Sequence, residues 1–294
     1  MKKKSGHRRR TKVVRKSRKN LRRTIKRKSL GKGRRCPTRR YSRVQRGGMT
    51  EGQLRELREL ENKADAGDVE AQNNLGDMFN YNYVVDQDYD EAVRYYKLAA
   101  DQGYAAAQYN LGVMYELGRG VEKNEAKAVR LYQLAADRGY ADAQYNLGER
   151  FEEGRGVKKN EAKAVRLYQH AAAQEHGNAI EKMGEMFEKG LGVVQDYTRA
   201  ATFYQKAVDD HFMANAAVNL GKMYEEGRGV DKDVKKAYEL YLKAQEFVYI
   251  GDIKSILAGC RKKIDNKKEI SQLEEDVKEW WKSILSESIK KKST

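Results

Sequence analysis

A chain of 294 residues with one proline and 25 glycines fits a nearly all-helical protein whose turns are made by glycine. Its formal charge of +17 is lopsided, because residues 1–48 hold 23 Lys and Arg and no Asp or Glu, which leaves a net −6 on the remainder. Two distant cysteines, Cys36 and Cys260, and four scattered histidines exclude a disulfide framework and a zinc site, and no apolar run reaches the roughly 18–20 residues of a membrane span.

The basic leader, residues 1–48, alternates clusters such as Arg8-Arg9-Arg10, Arg22-Arg23, Lys26-Arg27-Lys28 and Arg34-Arg35 with Ser, Thr and Gly. So many like charges with so few apolar residues cannot offset ordering entropy, and disorder is expected. Its readings are nucleic-acid binding through phosphate contacts, nuclear import, a mitochondrial transit peptide and a solubilising tail. Val13, Val14, Leu21, Ile25 and Leu30 are too sparse for the apolar face a transit peptide needs. The leader is not succeeded by an apolar segment, so standard secretion is not expected, and the expectation is an intracellular protein of cytoplasm or nucleus. Gly47-Gly48 closes the leader. A basic, acid-free leader ending in Gly-Gly resembles those of some proteins from large DNA viruses of protists, where Gly-Gly marks proteolytic processing; a flexible hinge is the competing reading.

Residues 49–67 predict one amphipathic helix with Leu54, Leu57 and Leu60 on a stripe, half a repeat that caps the first full unit. Over residues 68–249 the chain repeats itself. An internal glycine recurs at Gly76, Gly112, Gly148, Gly184 and Gly221, and NEAKAVRLYQ stands letter for letter at 124–133 and 160–169. A period of 36 or 37 residues signals a solenoid of stacked units.

The unit Ala107–Tyr140 reads as a helical hairpin. Ala107, Leu111 and Tyr115 share a face with Gly112 beside them. A glycine inside a helix costs about 0.5–1 kcal/mol relative to alanine, so its recurrence implies a neighbour too close for a Cβ. Gly118 and Gly120 end the first helix, one of them left-handed. Asn124 caps the second, whose inner face holds Ala128, Leu131 or Tyr132, Ala135 and Ala136. Repeat one departs at Tyr81–Val85, where Asn82 and Val84 replace both glycines. Repeat four has an extra residue, and Glu181 and Lys182 replace the aromatic or apolar residue and the Asn that precede the glycine motif.

These residues, Ala-x-x-x-Leu-Gly-x-x-Tyr, Gly-x-Gly-Val, then Ala, Tyr and Ala-Ala and a closing Gly, resemble the Sel-1-like repeat family, relatives of tetratricopeptide arrays. The resemblance implies an all-α, right-handed α-solenoid of five repeats and an adaptor role in assembling complexes. Residues 250–294 lose the period. Ile250, Ile253, Ile256, Leu257, Cys260 and Ile264, then Ile270, Leu273, Val277, Trp280, Trp281, Ile284 and Leu285, form two helical faces. They read as a C-terminal cap, or as a partner-docking or membrane-surface helix aided by Lys290–Lys292.

Catalytic chemistry finds little support. The turn GRGV lacks the Gly-Lys-Ser/Thr ending of a phosphate loop, His170 and His176 substitute for scaffold residues, and neither enzyme activity nor a cofactor is expected. Binding fares better. By the resemblance, first helices line the concave surface, and positions opposite Leu111 form columns along it. These candidate groove residues are Asn74, Asn80, Tyr109, Asn110, Glu116, Tyr145, Asn146, Glu149, Glu152, Glu185, Glu188, Asn219 and Glu225. Such a groove is acidic and favours basic proteins or peptides, the chain's own tail among them, within one molecule or between two. The competing reading makes the glutamates a solvated face and the asparagines inter-repeat joints. The expected function is therefore a protein-interaction scaffold whose basic tail targets the nucleus or tethers nucleic acid. The alternative is a nucleic-acid-associated structural protein whose tail binds DNA or RNA.

Overall fold

The computed structural model describes residues 50–81, 85–247, 253–264 and 266–292. The basic clusters, Cys36, Gly47-Gly48, the atypical turn at Asn82–Val84 and Ile250 lie outside them, as do the side chains of Leu285 and Lys290–Lys292. Among the described residues there are thirteen helices and no strand. In chain order they are α1 (Glu51–Asp65), α2 (Val69–Tyr81), α3 (Tyr89–Asp101), α4 (Ala105–Leu117), α5 (Glu125–Ala136), α6 (Ala141–Glu153) and α7 (Glu161–Ala172). They continue with α8 (Gly177–Lys189), α9 (Tyr197–His211), α10 (Ala214–Glu226), α11 (Val234–Phe247), α12 (Ile253–Arg261) and α13 (Lys267–Lys292).

The chain divides into two compact units, Met1–Glu61 and Asn62–Thr294. In the first, α1 opens with a reciprocal cap: Thr50 Oγ1 accepts from the Gln53 amide while Gln53 Oε1 accepts from the Thr50 amide. Its leucine stripe is graded, with Leu57 buried and Leu54 and Leu60 half-buried. The second unit is an α-solenoid. From α2 to α11 each helix packs on its chain neighbours, most closely within the hairpins α2–α3, α4–α5, α6–α7, α8–α9 and α10–α11.

The internal glycines explain the hairpin. A Cβ on Gly112 would sit 2.7 Å from the ring of Tyr132, and on Gly148 it would sit 2.6 Å from that of Tyr168. The same contact recurs at Gly76–Tyr96, Gly184–Tyr204 and Gly221–Tyr241. The glycine is thus the seat of a fully buried tyrosine from the second helix, which settles the inner face on Tyr132; Leu131 is half-buried. Both turn glycines are left-handed, not one: Gly118 has φ 68° and Gly120 has φ 64°. Gly118 caps α4, whereas a Cβ on Gly120 would run into the Tyr89 carbonyl at 2.3 Å, at the start of the preceding second helix. Asn124 caps α5 by accepting from the Lys127 amide.

The first-helix core reaches beyond Ala107 and Leu111, with Tyr115 half-buried at its edge. Met114, Met186 and Met223 are also buried, and so is Arg150 in the same column. Gln72, Gln108 and Gln144 donate across the inter-repeat turn to the carbonyls of Ala64, Ala100 and Ala136, adding a second donor to helix-end carbonyls that already accept from the Gly67, Gly103 and Gly139 amides. Beyond the repeats, α12 and α13 pack on α11 and bury Ile253, Leu257, Cys260, Ile264, Ile270 and Val277.

Replacing Gly148 by alanine drives a methyl group into a ring that has nowhere to go. Gly148→Ala should lower unfolding free energy by about 1–3 kcal/mol, read as a fall in the urea midpoint. An unchanged midpoint would mean that the Tyr168 ring is not held by the glycine.

Candidate functional site

The second-helix tyrosine carries its hydroxyl across the first helix to a carboxylate one turn beyond the glycine. Tyr132 donates to Glu116 Oε2 at 2.6 Å, Tyr168 to Glu152 at 2.6 Å, Tyr204 to Glu188 at 2.7 Å and Tyr241 to Glu225 at 2.9 Å. Burial, reinforced by these carboxylates, raises all four phenols far above their ordinary value, so they remain donors at any physiological pH.

The other oxygen of each glutamate reaches a cation farther along the chain. Glu116 Oε1 meets Arg150 at 3.1 Å, Glu152 meets Lys182 at 3.6 Å, Glu188 meets Arg228 at 3.4 Å and Glu225 meets Lys263. Burial works against the Glu225 carboxylate, yet Lys263 and Tyr241 hold it below its ordinary range. The glutamate column is therefore engaged within the array. Repeat one achieves the same with different residues: Asn80 is buried in the glutamate position, and Asp77 instead receives the Tyr96 hydroxyl at 2.7 Å.

The asparagines join repeats. Asn110 donates to Asn73 at 3.0 Å and to Asp77 at 3.2 Å, and Asn146 donates to the Tyr109 hydroxyl at 3.4 Å. Asn74, expected in this column, is exposed, and the neighbouring Asn73 takes the contact; Asn219 is half-buried. Tyr109 and Tyr145 belong to an aromatic row beside these asparagines. The Tyr109 ring lies 5.4 Å from that of Tyr140, and Tyr145 stacks at 5.0 Å on His176. His176 accepts from the Ala179 amide and approaches Asp142 at 3.2 Å. It caps α8, while His170 is exposed.

Repeats three and four hold the remaining acidic residues. Glu149 accepts from the Tyr145 hydroxyl at 2.9 Å. Glu185 pairs with Lys182 at 3.3 Å and Lys189 at 3.4 Å. Glu181 is buried, its Oε1 has no hydrogen-bond partner, and burial followed by the nearby Glu185 charge raises its carboxyl pKa. Sequence reasoning missed the phenols and cations bound to the column. Tyr132 and its equivalents were legible as a 16-residue offset from the glutamates; Arg150, Lys182, Arg228 and Lys263 occupy four different positions and leave no periodic signal.

Among the described residues no cluster of His, Cys, Asp and Glu is arranged to hold a metal ion, and no helix is long and apolar enough to cross a membrane. A cavity of about 470 Å³ between α9 and α10 is lined by Thr198, Thr202, Gln205, Lys206 and Tyr224, and one of about 440 Å³ lies among α11, α12 and α13. Neither touches the first-helix face. Cys260 is buried with its thiol pushed up to about 11, chiefly by burial, which leaves it unreactive at neutral pH.

Two substitutions probe this network. Tyr168→Phe removes a hydrogen bond to a carboxylate and should cost about 1.5–3 kcal/mol in urea unfolding. Glu181→Gln should raise the melting temperature at pH 7. Because the folded carboxyl titrates above its ordinary value of 4.5, its penalty is present above the folded pKa and disappears below the unfolded one. The gain should therefore fade in melts taken as pH falls through that range.

The Sel1 repeat model matches residues 69–104, 105–140, 141–176, 177–210 and 214–244. Among solved structures the chain is similar to a protective antigen of uropathogenic Escherichia coli displaying an SLR fold, at 35% identity and a TM-score of 0.63, over 65% of this chain and 40% of that one. It is also similar to a Sel1 repeat protein from Oxalobacter formigenes, at 30% identity and a TM-score of 0.64, over 73% of this chain and 88% of that one. None of the curated proteins matches. With the tyrosine seats recurring in every hairpin and the family model covering more than half its length, the chain belongs to the Sel1 repeat family.

Proposed function

We propose that this protein is an interaction scaffold that binds partner proteins along the first-helix face of its repeats, with basic segments preferred. Sel1 repeats generally mediate protein–protein interaction and are typically non-enzymatic. The observation that carries the preference for basic partners is electrostatic. The Glu116, Glu152, Glu188 and Glu225 column is paired with its own cations and hydrogen-bonded by its tyrosines, whereas Glu149 and Glu181 make no direct ion pair among the described residues and feel Lys182 only at longer range. Tyr145 and Asn146 on α6 and Glu185 on α8 share their helices, Tyr109 and Asn110 lie on the preceding first helix α4, and together they supply ring faces, amides and charge for a peptide. The domain division that accompanies this reading is a basic tail (1–48), a capping helix (49–67), repeats (68–249) and C-terminal capping helices (250–294).

The tail suits a second role, in nuclear targeting or tethering to nucleic acid, for which its 23 cations without a single carboxylate are the basis. Its attraction to the acidic face of another copy is the route by which the protein would self-associate. Fluorescence polarisation with basic, neutral and acidic peptides across a salt series tests the face. The basic peptide should bind best and weaken steeply with salt; equal affinity for all three would exclude a charge-selective face. An electrophoretic shift assay on full-length and tail-less protein tests the tail, and DNA binding should depend on residues 1–48. Tail-dependent DNA binding without any peptide binding would instead favour a nucleic-acid-associated structural protein.

A further inference from the structure

After the five repeats the array carries a degenerate sixth hairpin. Ile253, Leu257 and Cys260 are buried 37 residues after the buried Ala216, Leu220 and Met223, so α12 is a sixth first helix. Ala258 falls 37 residues after Gly221 and takes the place of the seat glycine. Asn266 caps α13 by accepting from the Lys268 amide, and Glu274 stands eight residues after that cap, as Tyr132 does after Asn124 and Tyr241 after Asp233. The sixth hairpin thus lacks both the glycine and the tyrosine that fills its seat.

The packing changes accordingly. The five seat glycines are buried, whereas Ala258 is exposed. Helices α12 and α13 each pack on α11 and scarcely on each other, and the cavity of about 440 Å³ lies among the three. Its apolar wall is Leu242, Leu257, Ala258 and Val277. Glu274 also lines it, with Oε1 accepting from the Tyr238 hydroxyl at 2.8 Å and lying 3.6 Å from Arg261, while Oε2 takes no hydrogen bond among the described residues. Exposed Lys254, Lys278 and Glu246 complete the rim. Charges of both signs around an apolar wall disfavour an ion of either sign and suit a neutral ring with a polar tip.

We propose that this cavity receives a tyrosine side chain of a partner protein, its ring against Leu242, Leu257, Ala258 and Val277 and its hydroxyl donating to Glu274 Oε2. The five complete hairpins set the precedent, since each lays a phenol ring against its glycine and gives the hydroxyl a carboxylate. The sixth keeps a small residue and a carboxylate and lacks the phenol. The site lies in the C-terminal cap and is independent of the acidic first-helix face.

The test uses the full chain with labelled Leu and Val methyl groups and two probes, acetyl-Gly-Tyr-Gly-amide and acetyl-Gly-Phe-Gly-amide, titrated in methyl NMR spectra. The tyrosine probe should move the Leu242, Leu257 and Val277 methyls saturably, leave those of Leu111 and Leu147 unmoved, and bind about fivefold more tightly than the phenylalanine probe. Ala258→Trp fills the cavity from an exposed position and should abolish the shifts, and Glu274→Gln should remove most of the preference for tyrosine. Circular dichroism melts verify that both variants fold, and the comparison of probes on the wild type needs no variant. Unmoved methyls with the tyrosine probe, equal affinity for the two probes, or wild-type binding by Ala258→Trp would each overturn the tyrosine site. A wild-type dimer that Ala258→Trp dissociates, seen by sedimentation, would seat a second copy there and overturn the partner assignment.

Discussion

The contact on which the molecule depends is the one between a helix-interior glycine and a tyrosine ring. At Gly112 the missing Cβ lets the Tyr132 ring press close against α4. That placement does more than fill the core. It carries the hydroxyl over the helix to Glu116, one turn farther on, and fixes which carboxylate oxygen is left for the next repeat. Glycine, tyrosine, glutamate and a cation of the following unit thus form one line of force from the inside of a hairpin to its neighbour. The cost of the glycine in helix propensity is offset by burial of a whole aromatic side chain and by a charge-assisted hydrogen bond.

This line explains why a face rich in glutamate is not simply an acidic face. In four repeats one oxygen of the column faces inward to a phenol and the other faces along the array to Arg150, Lys182, Arg228 or Lys263. Those carboxylates are joints, with asparagines and glutamines serving as further joints at other levels of the stack. What the face can offer a partner is the remainder after the joints are counted: ring surfaces of the Tyr109 and Tyr145 row and the carboxylates the joints leave over.

The fold was legible because a solenoid writes its physics once per period. The glycine spacing, the Asn124 cap and the paired turn glycines all come from local geometry repeated along the chain. Asn74 was misplaced for the opposite reason: in the first repeat Asn73 makes the contact, and only packing decides between adjacent polar residues. The counter-charges were illegible on any one-dimensional reading. Arg150 comes from a column of methionines, Lys182 from a column of asparagines, Arg228 from a turn and Lys263 from beyond the repeats. Each satisfies the same need from a different direction, so no spacing reveals it.

The departures from period are also where the repeats acquire individuality. Units two and three are nearly copies, and a surface of identical units binds any register of a partner equally well. Arg150 already breaks that symmetry by putting a charge among buried methionines, and it pairs with Glu116 although its Nε and Nη1 have no hydrogen-bond partner. Glu181 breaks it without forming an ion pair among the described residues, and its Oε1 has no hydrogen-bond partner. Because a repeat array spreads its stability over nearest-neighbour contacts, one unit can carry a poorly satisfied buried charge while its neighbours, built on the same tyrosine seats, hold the hairpin in place. A globular core with a single centre would feel that charge throughout. In this chain the regular repeats supply the rigidity that lets an irregular one be specific.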